Sequence, residues 1–512
     1  MKNKFFNEIL FVIFLIFFYS SISFFYAQPH LNSHWTAVYD QEMVLAYNSL
    51  LFNSGIEQEF TDHSGYFTFL ATSLYFKILN FFNLIEIYKF SQTHDFDLNQ
   101  TFNDSIYHLR VFSVYVVIIT AISSTYLFNI LFKDKLFSLL LGIILFFLYG
   151  NLSILNSVRT EQFSVLFIIL SLIGLYNFFE KNRFIYLMIF LFFLFCSILN
   201  KSQVIYHLPL ILLYSFYINK KPILFNFNLQ GLFNKDKILL YIFIFFFIFL
   251  TLKSLIFLRD YKSWIFLILI LSIFNFFFFK ISDQKKLIDN MIIFNLSIIT
   301  SYTLFNLIIF LHPSASLVSL QKTIFAVVKH TAVYRSDISD VTFLEFIFNT
   351  IKILLENFIF LLNKFFLSIN SYSIILISTI IIFFINLKKY LKNDKKLIIL
   401  LLLGFFGIFS INLVRGNFLN YYSYTDYIFI IFLGFVLKNL NKKISISFLT
   451  LIACLIFYLN IYKNYDIIGF KKYSDNTVAL CDQFINIKYN FLITWHKRIA
   501  IDKFEEFCSI KN

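Results

Sequence analysis

WTAVYDQEMVLAYNSLLFNSGIEQEFTDHSGY, residues 35–66, is the first strongly polar stretch in a chain that is otherwise mostly apolar runs. Within it Met43, Ala46, Tyr47, Leu50 and Leu51 recur at i, i+3, i+4, i+7 and i+8, which draws one apolar stripe along a helix. Asp40 stands where an N-cap stands, Glu42 lies in the first turn, and Asn53-Ser54-Gly55 stops the helix. The stretch predicts an amphipathic helix lying along a membrane surface, with a carboxylate held at its start.

On both sides of this island the composition is that of a membrane protein. The 512 residues are 59% hydrophobic and 14% charged, and a soluble domain lacks the polar surface to cover that much apolar material. Apolar runs of about 20 residues, long enough to span a bilayer, recur along most of the chain. The 76 phenylalanines read as a genome-wide compositional bias. Lys and Arg number 43 against 29 acidic residues, a surplus that belongs in cytoplasmic loops facing anionic lipid and does not indicate nucleic acid. The four cysteines are scattered without metal-type spacing; Cys481 and Cys508 would form a disulfide in an oxidising compartment or stay as two thiols.

Basic residues fix the expected threading. Lys2 and Lys4 stay in the cytoplasm and residues 5–26 cross outward as an uncleaved anchor, since bulky Phe25 suits a signal cleavage site poorly. Basic clusters at 133–135, 180–183, 220–237, 283–286, 388–396 and 438–443 then separate apolar segments in pairs. The spans fall at 109–131, 136–155, 162–179, 184–199, 203–219, 238–258, 264–280, 287–311, 370–387, 397–414, 424–438 and 444–463. The expected fold is therefore an all-α, polytopic transmembrane helix bundle with about 13 spans. Residues 1–463 form the transmembrane domain, with outer loops at 27–108 and 312–369 and a small extracytoplasmic tail at 464–512. Residues 342–366 carry Glu345, Lys352, Glu356 and Lys364 at helical spacing and read as an interfacial helix; 66–89 reads as a second surface-lying segment. Lys253, Arg259 and Lys262 violate the charge rule at an outward turn.

The order of polar motifs resembles the GT-C class of membrane glycosyltransferases, closest to the branch with protein O-mannosyltransferases and the lipid A aminoarabinose transferase. The likeness lies in Tyr39-Asp40-Gln41-Glu42 after an anchor helix, then Ala46-Tyr47 and Ser54-Gly55, where that family often reads Y-D-E, a Tyr and S-G. His63-Ser64-Gly65-Tyr66 stands where the family has H-P-P or H-P-G and lacks the proline. Tyr107-His108-Leu109-Arg110 leads into a span, Val158-Arg159-Thr160-Glu161 sits in the second outer turn, and Leu199-Asn200-Lys201-Ser202 sits in the third. The motifs cover about the first 220 residues in order.

That resemblance implies an inverting transfer of a sugar from a polyprenyl-phosphate or diphosphate donor to an acceptor glycan, lipid or protein on the outer face. It places the protein in a bacterial inner membrane with its amino terminus cytoplasmic. The chemistry needs a carboxylate to take the acceptor proton and cations around the departing phosphate. Asp40 is the candidate base, a role compatible with capping its helix. Glu42 is read as a first-turn residue favoured by the helix dipole, or as a second ligand beside Asp40. Glu161 complements its own helix dipole, pairs with Arg159, or orients the acceptor; Lys201 snorkels at a hairpin or contacts phosphate. Arg335 and Arg415 are preferred as phosphate ligands because the guanidinium fork matches phosphate oxygens. No cofactor is fixed by the sequence; a divalent cation, if used, falls to Asp40 and Glu161. Asp426 is expected to be satisfied by neighbouring helices. The competing readings are an O-antigen polymerase or ligase and a transporter or flippase without covalent chemistry.

Overall fold

Apolar segments that cannot hydrogen-bond to lipid must satisfy their backbone internally, and the helix does so within one segment. The computed structural model describes residues 2–31, 42–59, 65–94, 98–155, 158–181, 183–201, 204, 287–316, 351–352, 355–360, 362–363, 370–385, 423–438 and 440–463. Among these residues every regular element is helical: α1 (Lys2–Leu31), α2 (Glu42–Asn53), α3 (Tyr66–Phe81), α4 (Leu98–Phe132), α5 (Lys135–Phe146) and α6 (Tyr149–Leu155). They continue with α7 (Glu161–Lys181), α8 (Phe184–Asn200), α9 (Leu287–Ile309), α10 (Ser371–Ile385), α11 (Ser423–Lys438) and α12 (Lys442–Lys463). Four described stretches are long and apolar enough to cross a membrane: Ile9–Leu31, Asn103–Phe132, Glu161–Lys181 and Lys442–Asn460. The segments Lys135–Phe146, Phe184–Asn200, Phe294–Ile309 and Ser371–Ile385 are apolar but shorter. The spans expected at 238–258, 264–280 and 397–414, and that at 203–219 apart from Val204, lie outside the described residues, as does the 464–512 tail with both of its cysteines.

Helix α4 organises the bundle. Its 35 residues rise roughly 52 Å, well beyond a hydrocarbon core, so it starts some ten residues before the expected span at 109. Helices α1, α5 and α7 pack against it, α8 lies along α7, and α9 lies along α8. The basic turns gather at one end of the bundle. There Lys133 pairs with Glu180 at 3.0 Å, Lys442 pairs with Asp134 at 2.5 Å, and Lys438 covers the Phe132 ring.

Three expectations are corrected. The run 136–155 is not one helix: it breaks at Phe147-Leu148 into α5 and α6. Neighbours take up the groups the break frees. Asn151 Nδ2 donates to Leu145 O at 2.9 Å, Asn460 Nδ2 to Phe147 O at 2.6 Å, and Gly150 N–H to the Tyr372 hydroxyl at 2.9 Å. Helix α2 does not lie along a surface, because Val44–Phe52 are all buried. Its polar face is covered by the returning chain, where Asn48 Oδ1 accepts the Glu59 N–H at 2.9 Å and Tyr47 donates to Glu59 Oε2 at 3.0 Å. The segment 66–89 is only partly surface. Helix α3 buries Tyr66, Phe69, Thr72 and Phe76 and exposes the apolar Leu74, Ile78 and Phe81 opposite. Of 342–366, residues 351–352 and 355–360 are helical, with Lys352, Leu355, Glu356 and Ile359 exposed.

Helices α7 and α8 approach closely because Gly174 has no side chain. A Cβ there would sit 2.8 Å from the Phe190 backbone nitrogen. Nearby, Ser197 Oγ donates to Ser164 O at 2.7 Å and Ser171 Oγ donates to Phe190 O at 3.1 Å. Gly174→Ala is expected to cost about 1–3 kcal/mol through this overpacking. The check is thermal unfolding of the purified protein in detergent, and a midpoint equal to wild type would mean that the two helices are not held at this distance.

Candidate functional site

Among the described residues two helices begin on a buried glutamate. Glu42 is the first residue of α2 and Glu161 the first of α7, so each carboxylate faces the positive end of its own helix. Neither side chain is exposed to solvent, and at that burial the dipole alone does not offset the loss of water. Cations at contact distance supply the remainder.

Glu42 takes its partners from two other helices. His30, in the last turn of α1, lies 2.6 Å from Oε1 through Nε2. Arg110 of α4 donates from Nε at 3.0 Å and Nη2 at 2.9 Å to Oε2, and its Nη1 binds the His30 carbonyl at 3.2 Å. Burial pushes the Glu42 carboxyl up, and the charges of His30 and Arg110 outweigh it, holding the group below its ordinary value of 4.5.

Glu161 is bound by a fork and a point charge. Arg159 reaches both oxygens, Nε to Oε2 and Nη2 to Oε1 at 3.3 Å each, and Lys201 Nζ lies 2.8 Å from Oε1. Lys201 follows the last residue of α8 and is fully buried, so it does not snorkel. The turn before α7 joins the two clusters: the Val158 N–H points at Glu42 Oε1 at 3.4 Å, while the next residue, Arg159, holds Glu161. The first loop, the second turn and the third turn thus meet at one place. It lies about 20 helical residues, or roughly 30 Å, from the basic end of α7.

Asn200 locks this junction. Its Nδ2 donates to Thr160 O at 2.7 Å and Ser164 Oγ at 3.1 Å, and its Oδ1 accepts from the Thr68 N–H and hydroxyl at 3.1 Å each. The backbone carbonyl of Asn200 accepts the Gly65 N–H at 3.2 Å. Gly65 adopts φ +51°, and a Cβ there would meet Phe69 and Thr160 at 3.0–3.1 Å, so glycine is required at the entry to α3.

Of the residues singled out in the sequence, Glu42, Arg159, Glu161 and Lys201 come together; Asp40, Arg335 and Arg415 lie outside the described residues. Glu42 is more than a first-turn complement to a dipole, because the Arg110 guanidinium and the His30 ring contact it directly. Arg110, which closes the Tyr107-His108-Leu109-Arg110 motif, is 1% exposed and committed to Glu42. Sequence reasoning missed His30, and it quoted Asn200 within a motif without giving it a role. The available signals were a lone histidine at the end of the anchor run and an Asn-Lys pair closing a short apolar segment. Asp426 behaves as expected, accepting from Tyr372 at 3.2 Å and Asn151 at 3.4 Å. Among the described residues no three His, Cys, Asp or Glu side chains gather as a metal site. A divalent ion at Glu161 would have to displace Arg159 and Lys201, so the groups around that carboxylate suit an anion better than a cation.

Removing the charge on Glu42 leaves Arg110 buried beside a neutral group, and Glu42→Gln is expected to lose about 3–5 kcal/mol. Because the folded carboxyl titrates below its ordinary value, this stabilisation is complete above pH 4.5 and falls away as pH drops through the folded value. Wild type should therefore show an acid-induced fall in unfolding temperature that is reduced in Glu42→Gln; identical acid profiles would remove the ion pair from the stability account. No protein-family model matches the chain, and no curated protein or solved structure matches it either.

Proposed function

We propose that the protein is an inverting membrane glycosyltransferase with about 13 spans in a GT-C-like arrangement. It moves a sugar from a polyprenyl-phosphate-type donor to a glycan, lipid or protein acceptor at the outer face of the membrane. The observation that carries this reading is the bond from Val158 to Glu42 beside the Glu161–Lys201 pair. It joins the carboxylate-bearing first loop to cations from two later turns, which is the juxtaposition such a transfer needs.

Asp40 precedes Glu42 by two residues, and backbone reach keeps their Cα atoms within about 7 Å. In this mechanism Asp40 takes the proton of the acceptor hydroxyl as its oxygen attacks the anomeric carbon. The bond from that carbon to the donor phosphate breaks, and the phosphate leaves with the bonding electrons. Arg159 and Lys201 are the near cations for the charge that develops there, with Arg335 and Arg415 as further candidates. Glu42, held by His30 and Arg110, fixes the start of α2 and so the position from which Asp40 acts. The donor carries its own leaving group, so the reaction calls for no nucleotide-binding loop. A transporter reading draws less support, because the buried ion pairs described here gather at one end of the bundle instead of along a path through it.

The test uses membranes containing wild type or Asp40→Asn, supplied with radiolabelled polyprenyl-phosphate and polyprenyl-diphosphate sugars. Wild type is expected to transfer label to an endogenous acceptor, and the variant to lose about 10²–10⁴-fold in rate with unchanged thermal stability. Undiminished transfer by the variant would take Asp40 out of the mechanism.

A further inference from the structure

The chain leaving α9 is fastened to the first loop by a histidine whose hydrogen-bond pattern determines its protonation state. His312 is 8% exposed, and its ring stacks on Phe52 of α2 with centroids 3.8 Å apart and planes 9° from parallel. Its Nε2 lies 3.1 Å from the Phe52 carbonyl. A carbonyl oxygen only accepts, so Nε2 carries a hydrogen. The other nitrogen, Nδ1, receives the Ser314 N–H at 3.2 Å and lies 2.9 Å from Ser314 Oγ. That hydroxyl oxygen in turn accepts the Gln58 N–H at 2.8 Å, which leaves its own hydrogen for Nδ1. Nδ1 is therefore an acceptor, and the neutral Nε2–H tautomer satisfies every group in the set.

We infer that His312 is a proton-operated latch, closed with the ring neutral and released when Nδ1 is protonated, that fastens residues 312–316 to residues 52–58. A hydrogen on Nδ1 would meet the Ser314 N–H head-on and force the hydroxyl to turn over. It would also leave a cation in a stacked, nearly dry position. Burial pushes the ring below its ordinary value of 6.5, more than the Phe52 carbonyl and the Glu57 charge raise it. The surrounding elements contribute Glu57 from the first loop, the Phe52 carbonyl from α2, and Tyr66 from α3. The Tyr66 hydroxyl is already bound to Ile308 O at 3.1 Å and Ile309 O at 2.8 Å.

The closed latch binds fewer protons than the open one, so closure is complete above about pH 6.5 and weakens as pH falls below it. The latch grips the carboxy-terminal end of α2, the helix that begins on Glu42. Its release removes one support of that helix and frees the start of the long segment that follows α9. The latch stands on its own geometry and does not depend on the transferase reading.

Hydrogen–deuterium exchange of the full-length protein in detergent, corrected for intrinsic exchange, reads the latch directly through the Gln58 and Ser314 amides. In wild type the peptides covering 52–59 and 310–316 are expected to lose protection several-fold between about pH 7.5 and about pH 5, with peptides of α7 unaffected. His312→Gln, which does not titrate, should show no such response. His312→Phe, which keeps the stacking but not the bonds, should be unprotected at both values. Wild-type protection that is flat with pH, or an equal response in His312→Gln, would overturn the proposal.

Discussion

A carboxylate removed from water stays charged only where donors and cations replace the hydration it has lost, and that requirement shapes this protein. Glu42 and Glu161 both sit at full burial, and between them they recruit the end of α1, the body of α4, the turn at 158–161 and the end of α8. With the start of α2, which carries Glu42, five separate stretches of chain are thereby fixed at one end of the bundle. Misplacing any of them would leave a charge buried without compensation, an error of several kcal/mol. The opposite end is built differently. Its Lys133–Glu180 and Lys442–Asp134 pairs are open to solvent, with both lysine side chains 71% exposed, and pairs of that kind contribute little to stability. One end of the molecule is held by buried charge; the other carries ion pairs open to solvent.

Much of the architecture could be read from the chain because membrane insertion leaves little freedom. Apolar runs bounded by lysines became helices ending close to the expected residues: α8 spans Phe184–Asn200 against an expected 184–199, and α11 spans Ser423–Lys438 against 424–438. Local pairs were readable for the same reason, since Arg159 and Glu161 are two residues apart and meet directly. What escaped was long-range. Arg110 and Glu42 are 68 residues apart, and nothing in either neighbourhood marks the other as its counter-charge. The burial of α2 was hidden for a related reason. Asn48, Ser49 and Glu42 suggest a wet face, yet Asn48 and Ser49 bond back to their own helix at Val44 O and Leu45 O, and Glu42 meets its cations inside. Polar side chains that find satisfaction internally look the same in a sequence as those that find water.

The break between α5 and α6 was hidden in the same way. Hydropathy sees a single apolar run, because it has no way to register that Asn151, Tyr372 and Asn460 supply the groups that a continuous helix would have supplied itself.

Those same contacts impose a schedule on biosynthesis. Asn460 lies 313 residues beyond the carbonyl it serves, and Tyr372 lies 222 residues beyond the amide that donates to it. At ribosomal speeds of about 5–20 residues per second, the wait for Asn460 is roughly 15–60 s. Through that interval Asn151, six residues from the Leu145 carbonyl it serves, is the partner already in place, while the Phe147 carbonyl and the Gly150 amide await theirs. Its final shape is thus conferred late, by helices translated long after its own release from the tunnel.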